Sequence, residues 1–316
     1  MNLTTVTVLG GGTIGSQIAM QAFYKGCDVT IYDISDEAVF AAKKRVGAWS
    51  HIYAAELMQM KENFGKGMPY SHGLVEDIVH VTPEELDRCI ARASQAGFIT
   101  FTTNIEDAVK EADLVIEAVL EHPAVKKAVF GQIADKMKED TILATNSSTL
   151  LPSMFAEITG RPDKFIAMHF ANYIWKNNTI EIMRHEGTSD DTFETAVAFA
   201  KRIGMVPLCL NKEQPGYILN SLLVPFLDAA EKLLAKDVAS VETIDLTWRL
   251  STGSPYGPFQ ILDIVGLKTA YTIVAMKPEA KDENSDAYKI MKTLESYISA
   301  GKLGVSTGEG FYVYRK

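Results

Sequence analysis

Three polar groups interrupt apolar stretches in the middle of the chain, and their types suit one kind of reaction. Ser148 stands in Asn146-Ser147-Ser148-Thr149, just after the strand-like run 141–145. His169 follows the apolar run 165–168, and Glu181 lies between Ile180 and Ile182, 12 residues beyond His169. An imidazole gives or takes a proton near neutral pH. A carboxylate on its other ring nitrogen fixes the tautomer and stabilises the imidazolium. Hydroxyl and amide donors, here Ser148 and the later Asn220, polarise a carbonyl oxygen. Together these parts fit hydride transfer between an alcohol carbon and a nicotinamide, where the hydroxyl proton needs a carrier. Each also has an ordinary structural reading. Ser148 and its neighbours suit a helix cap before Pro152. His169 suits a packed strand end, and Glu181 suits the exposed face of an edge strand.

The coenzyme for such a reaction has its own signal at the start of the chain. Val6-Thr7-Val8-Leu9 meets Gly10, Gly12 and Gly15 in G-x-G-x-x-G spacing, with Thr13 and Ile14 inside the pattern and an apolar, helix-spaced segment after it. Strand, tight turn and helix in that order cradle a dinucleotide pyrophosphate on the helix N-terminus. A second strand over 28–32 ends at Asp33, 21 residues after Gly12. An acid at that distance accepts hydrogen bonds from the adenosine ribose and repels a 2′-phosphate. Ile34, Ser35, Asp36 and Glu37 follow without a basic residue, so NAD is expected over NADP. The competing reading makes Asp33 a cap for the next helix.

Composition narrows the partners. The 316 residues allow about two domains. Hydrophobic residues make up 47% and charged ones 22%, as in ordinary globular chains. A net charge of −9 without a basic cluster argues against nucleic acid. No apolar run approaches a membrane span. Met1-Asn2-Leu3-Thr4 leads straight into the first strand, so no secretory signal is expected. Cys27, Cys89 and Cys209 are few, odd in number and scattered, which points to reduced thiols and a cytoplasmic protein. The six histidines lack metal-ligand spacing, so no metal is expected.

Strands and helices alternate over residues 1–210, which predicts an α/β, doubly wound, mostly parallel sheet. A long helix is expected at 35–60, a loop or excursion with Gly65, Gly67, Pro69 and Gly73 at 61–82, and a capped helix from Thr82-Pro83-Glu84-Glu85. Further strands are expected at 99–101, 113–119, 141–145, 165–168, 178–183 and 206–210, with a helix at 152–158. After Pro215-Gly216 the pattern turns helical: 217–235, 240–250, 259–276 and 286–299. Residues 211–316 thus read as an all-α domain. Its apolar helices with aromatic interruptions predict burial against a second subunit.

Read together, these motifs resemble the L-3-hydroxyacyl-CoA dehydrogenases. The resemblance rests on the glycine turn, Asn146 to Leu150, His169-Phe170, Glu181, Pro215-Gly216-Tyr217-Ile218-Leu219-Asn220, Gly257-Pro258-Phe259 and Gly308-Glu309-Gly310-Phe311-Tyr312. It covers essentially the whole chain in order. It implies a Rossmann-like domain and a helical dimerisation domain in a homodimer. It makes His169 the general acid/base, Glu181 its partner, and Ser148 and Asn220 contacts of the substrate oxygen. Glu121, Lys126 and Asn172 match positions that contact the cofactor. The implied substrate is a β-keto or 3-hydroxy acyl compound, with or without a coenzyme A carrier. The chain departs from the family where His-Phe-Phe-Asn-Pro becomes His169-Phe170-Ala171-Asn172-Tyr173, followed by Trp175. A common basic residue is Ser306 here, and 61–75 does not match the region that helps hold coenzyme A. Asn146 to Pro152, the Trp175 loop and Leu219 to Leu223 look closest to the diketoreductase-like branch, which reduces β-keto groups on diketo esters. Related alternatives are a dehydrogenase of a free hydroxy acid, of L-gulonate or carnitine type, and a non-catalytic crystallin-like NAD-binding protein.

Overall fold

In the computed structural model, which describes residues 3–64, 71–77 and 79–314, the β-branched run Thr5–Leu9 forms strand β1. Gly10 follows with φ +100°, a backbone region that L side chains avoid. Helix α1 (Thr13–Tyr24) starts at once, with Gly12 as its cap residue. It packs so closely that a Cβ on Gly15 would lie 1.9 Å from the Gly10 carbonyl oxygen. The first N–H groups of α1 are thereby presented at the C-terminal end of β1.

The chain continues through β2 (Asp28–Tyr32), α2 (Asp36–Glu62), α3 (Pro83–Ala93), β3 (Thr100–Thr102), α4 (Ile105–Val109), β4 (Leu114–Glu117), α5 (Pro123–Ile133) and β5 (Ile142–Thr145). At the expected helix start, the Thr82 hydroxyl and Glu85 carboxylate close a capping box on α3. The expected helix at 152–158 is two short 3-10 turns, Pro152–Met154 and Glu157–Thr159. So short a segment cannot recover the cost of helix nucleation, and left-handed Gly160 stops it. Gly65, Gly67 and Pro69 of the expected excursion lie outside the described residues. Gly73 closes a turn there, and its N–H donates to the Trp175 carbonyl at 2.9 Å.

Strands β6 (Phe165–Phe170), β7 (Thr179–Met183) and β8 (Val206–Leu210) complete the sheet, with α6 (Asp190–Arg202) before β8. The eight strands lie in the order β3-β2-β1-β4-β5-β6-β7-β8. Only the β6–β7 pair is antiparallel. The C-terminal ends of β1, β4, β5 and β6 therefore share one edge, and the strand order reverses at β1, where open α/β sheets bind ligands.

The first compact unit runs through Ile218, and a second begins at Leu219. The change of sequence grammar placed this division near 210. Tyr217 is the reason for the difference, since it packs with Ala167, Met183 and Leu210 of the first unit. The second unit holds α7 (Leu219–Ala235), α8 (Val241–Thr252), α9 (Pro258–Val265), α10 (Leu267–Ala275) and α11 (Asp286–Ser299). Gly266, at φ +96°, splits the single helix expected at 259–276. Phe259, Leu262, Leu267, Ile290 and Leu294 form its core. Buried Asp263 accepts the Phe311 and Tyr312 N–H groups at 2.8 and 2.9 Å, anchoring the terminal Gly308–Tyr312 stretch. Among the described residues no helix is long and apolar enough to cross a membrane.

Candidate active site

The antiparallel turn of the sheet explains the 12-residue spacing seen in the sequence. His169 on β6 and Glu181 on β7 are direct cross-strand partners. Side chains of opposed residues in such a pair lie on one face with Cβ atoms roughly 5 Å apart. Imidazole Nδ1 lies 3.0 Å from Glu181 Oε2, and both side chains are nearly buried. Nδ1–H donates to the carboxylate, which leaves Nε2 for proton exchange. Glu181 Oε1 is held as well, by the Ile218 N–H at 2.8 Å. β8 pairs outside β7, so Glu181 is inside the sheet and not on an edge. The Asn146 side-chain oxygen accepts the Phe170 N–H at 2.9 Å and ties β5 to the C-terminal end of β6.

Ser148 follows β5 in a turn organised by one carboxylate. Glu121 Oε1 accepts the Ser148 and Thr149 N–H groups at 3.0 and 2.9 Å, the Ser147 hydroxyl at 2.6 Å and the Thr149 hydroxyl at 2.9 Å. Burial works to raise this carboxyl, but the Ser147 hydroxyl, the Lys126 ammonium and Thr149 outweigh it and hold it below the usual range. Lys126 is buried and bridges Glu117 at 2.6 Å and Glu121 at 3.2 Å. Glu117, at the end of β4, also accepts the Thr145 hydroxyl at 2.6 Å. A buried cation between two carboxylates thus links β4, β5 and the Ser148 turn. Asn220 lies half-buried in the first turn of α7, in the second unit.

At the other end of this edge, Asp33 Oδ2 accepts the Gly11 N–H at 2.8 Å and Oδ1 accepts the Ile34 N–H at 2.8 Å. Ser35, not Asp33, caps α2. A Cβ built on Gly12 meets nothing within 4 Å, so the face above the turn is open where a pyrophosphate would approach. Gly10, Gly15, exposed Thr13 and half-buried Ile14 complete that turn. These features fit a dinucleotide.

The loop 171–178 carries Asn172, which is exposed, and Trp175, which is 2% exposed. Trp175 packs against Trp49 and Tyr53 with ring centres 5.4 Å apart in each case. Its Nε1 donates to Glu56 at 2.9 Å. It is a core residue of the first unit. The sequence gives Tyr217 no role beyond its place in the 215–220 stretch, yet its ring stacks on His169 with centres 4.7 Å apart. An aromatic after Pro-Gly gives no chemical signal, and only the fold brings it back to β6. Glu117, read as part of a buried strand, was missed for the same reason.

A doubly wound sheet with an open glycine turn and a buried His–Glu pair at its C-terminal edge is the arrangement expected of an NAD-dependent oxidoreductase. The chain belongs to the 3-hydroxyacyl-CoA dehydrogenase family: the family's NAD binding domain matches residues 5–73 and 74–214, and its C-terminal domain matches 216–314. It is 33% identical to the human mitochondrial hydroxyacyl-coenzyme A dehydrogenase, over 98% of this chain and 91% of that protein. Among solved structures it is similar to a diketoreductase described as a dual catalyst of dicarbonyl compounds. That match is 43% identical with a TM-score of 0.84, over 99% of this chain and 100% of that one. The (S)-3-hydroxybutyryl-CoA dehydrogenase of Ralstonia eutropha matches at 30% identity and a TM-score of 0.73, covering 100% of both chains.

Proposed function

We propose that this enzyme interconverts a β-keto and a 3-hydroxy group on a small dicarbonyl or acyl substrate, with His169 as general acid/base. The observation that carries the reading is the cross-strand His169–Glu181 pair, nearly buried and with both carboxylate oxygens engaged. When bound, NADH supplies the hydride. In reduction, protonated His169 gives the Nε2 proton to the carbonyl oxygen, and Glu181 stabilises the charged ring. Ser148 polarises that oxygen. Gly10, Gly12, Thr13, Ile14, Gly15 and Asp33 hold the coenzyme's adenosine and phosphates, and Glu121, Lys126 and Asn172 are the further cofactor positions that the family resemblance implies.

A free dicarbonyl ester is favoured over a coenzyme A thioester. The diketoreductase likeness supports this, and so does the loop after His169. Tyr173 stands where the family carries proline, and its φ is +57°, which a proline ring forbids. The loop therefore follows a path that the family's sequence could not take. NADH oxidation with acetoacetyl-CoA beside a β,δ-diketo ester tests this through kcat/KM. A preference for the ester of tenfold or more is expected, and a preference for the thioester overturns the substrate assignment.

The enzyme works as a homodimer through its second unit. Leu222 on α7 and Leu246 and Leu250 on α8 are 69%, 52% and 76% exposed, an apolar surface that suits a second copy. Light scattering is expected to give twice the chain mass, and a monomer at micromolar concentration contradicts it. The odd, scattered cysteines support a reducing, cytoplasmic compartment.

A further inference from the structure

Tyr217 sits where an ordinary residue is out of place. Gln214, Pro215, Gly216 and Tyr217 form a tight turn in which the Gln214 carbonyl accepts the Tyr217 N–H at 3.0 Å. Gly216 has φ +78°, as the third position of such a turn requires. Tyr217 itself then also takes a left-handed backbone, at φ +56°. A bulky residue holds that conformation only where its surroundings determine it. Here the surroundings do two things at once. The turn delivers the next N–H, of Ile218, to Glu181 Oε1 at 2.8 Å. It also lays the fully buried Tyr217 ring along the His169 imidazole, with centres 4.7 Å apart and planes 29° from parallel.

We infer that Tyr217 is a positioning residue for the acid/base step: its π face holds the His169 ring in plane and stabilises the imidazolium. An aromatic face carries partial negative charge and attracts a cation stacked on it. A neutral imidazole gains less from that face than a charged one. The charged groups acting on Tyr217 are Glu121, Glu181 on β7, Glu117 at the end of β4 and Glu213 before the turn, and Lys126 on α5 pairs with Glu117 and Glu121. Burial, and then the field of Glu121, Glu181 and Glu117, hold the Tyr217 phenol protonated. The ring therefore acts as a neutral plate and not as a proton carrier. The role belongs to the ring and not to the hydroxyl, so phenylalanine is expected to replace it. The inference rests on the acid/base reading of His169.

The test follows the rate of keto reduction against pH in the whole enzyme, together with the His169 imidazole proton resonance in the coenzyme-free protein. His169→Gln identifies the resonance. Tyr217→Phe is expected to keep both profiles. In Tyr217→Leu the alkaline limb of the rate and the resonance midpoint are expected to move together to lower pH, by about 0.5 to 1.5 units, with KM for NADH unchanged. A series of phenylalanines at 217 with increasing fluorination keeps the shape while draining the π face, so it decides the matter if Tyr217→Leu does not fold. A stepwise downward movement across that series supports the inference. An unmoved midpoint across it overturns the inference while leaving the role of His169 intact, provided His169→Gln is inactive. An active His169→Gln enzyme removes the acid/base reading and this inference with it.

Discussion

At the scale of single residues, the chemistry depends on which hydrogen bonds are already made in the protein alone. Glu181 has one oxygen on the imidazole and one on the Ile218 N–H, so it has no freedom to leave His169. Asp33 spends one oxygen on Gly11 and one on Ile34, which fixes its carboxylate at the end of β2. A fixed anion there repels a 2′-phosphate. Asp33→Ala is expected to weaken NADH binding at least tenfold and to narrow the gap between NADH and NADPH. Fluorescence titration of both coenzymes measures this, and an unchanged preference would place coenzyme selection elsewhere. Lys126 shows how an implied contact takes on a second meaning. Its ammonium is the counter-charge of buried Glu117, so whatever it does for the coenzyme it also neutralises the end of β4.

At the scale of elements, much of the site was legible because parallel strands end in a row. The runs ending at Leu9, Thr145 and Met168 are near-continuous and apolar, so the polar residues just past them fall on one edge. The glycine turn and the cap of α3 are local signals and were read locally. The 12-residue gap between His169 and Glu181 was visible as a number, but its meaning needed an antiparallel register that no periodicity encodes. The return of Tyr217 to β6 is likewise a long-range packing fact. Trp175 shows the opposite limit. Beside the site in sequence, it stands out as a departure from the family's pattern, and the fold buries it among Trp49, Tyr53 and Glu56. It joins the loop after His169 to α2, and Gly73 accommodates it closely, since a Cβ there would lie 2.8 Å from Trp175 Cα. Trp175→Ala is expected to cost about 3–5 kcal/mol of stability, as for other buried large-to-small changes. A loss below about 1 kcal/mol in urea unfolding would contradict its role as a core pin.

At the scale of the molecule, the second unit carries an acidic group in the wrong medium. Glu231 on α7 is 5% exposed, and its Oε1 has no hydrogen-bond partner among the described residues. Burial pushes its carboxyl up to about 7, with Lys277 opposing and Asp228 reinforcing the shift. In the unfolded chain it ionises near the ordinary 4.5. Between those values the folded state binds the extra proton, so stability falls as pH rises through this window and stays lower above it. Glu231→Gln removes the penalty. It is expected to raise stability at pH 8 by up to roughly 3 kcal/mol and to change it little near pH 4.5. Thermal melts at the two pH values measure the difference, and equal effects at both would show that the buried carboxyl is not the cause.

If the proton moves through His169, replacing that residue must stop the chemistry and spare the coenzyme site. Stopped-flow turnover of a β-keto ester by His169→Ala, beside NADH binding by the same protein, separates chemistry from coenzyme binding. A fall in kcat of about 10²–10⁴-fold is expected, with NADH affinity within about twofold. Near-normal turnover by a folded His169→Ala enzyme would contradict it.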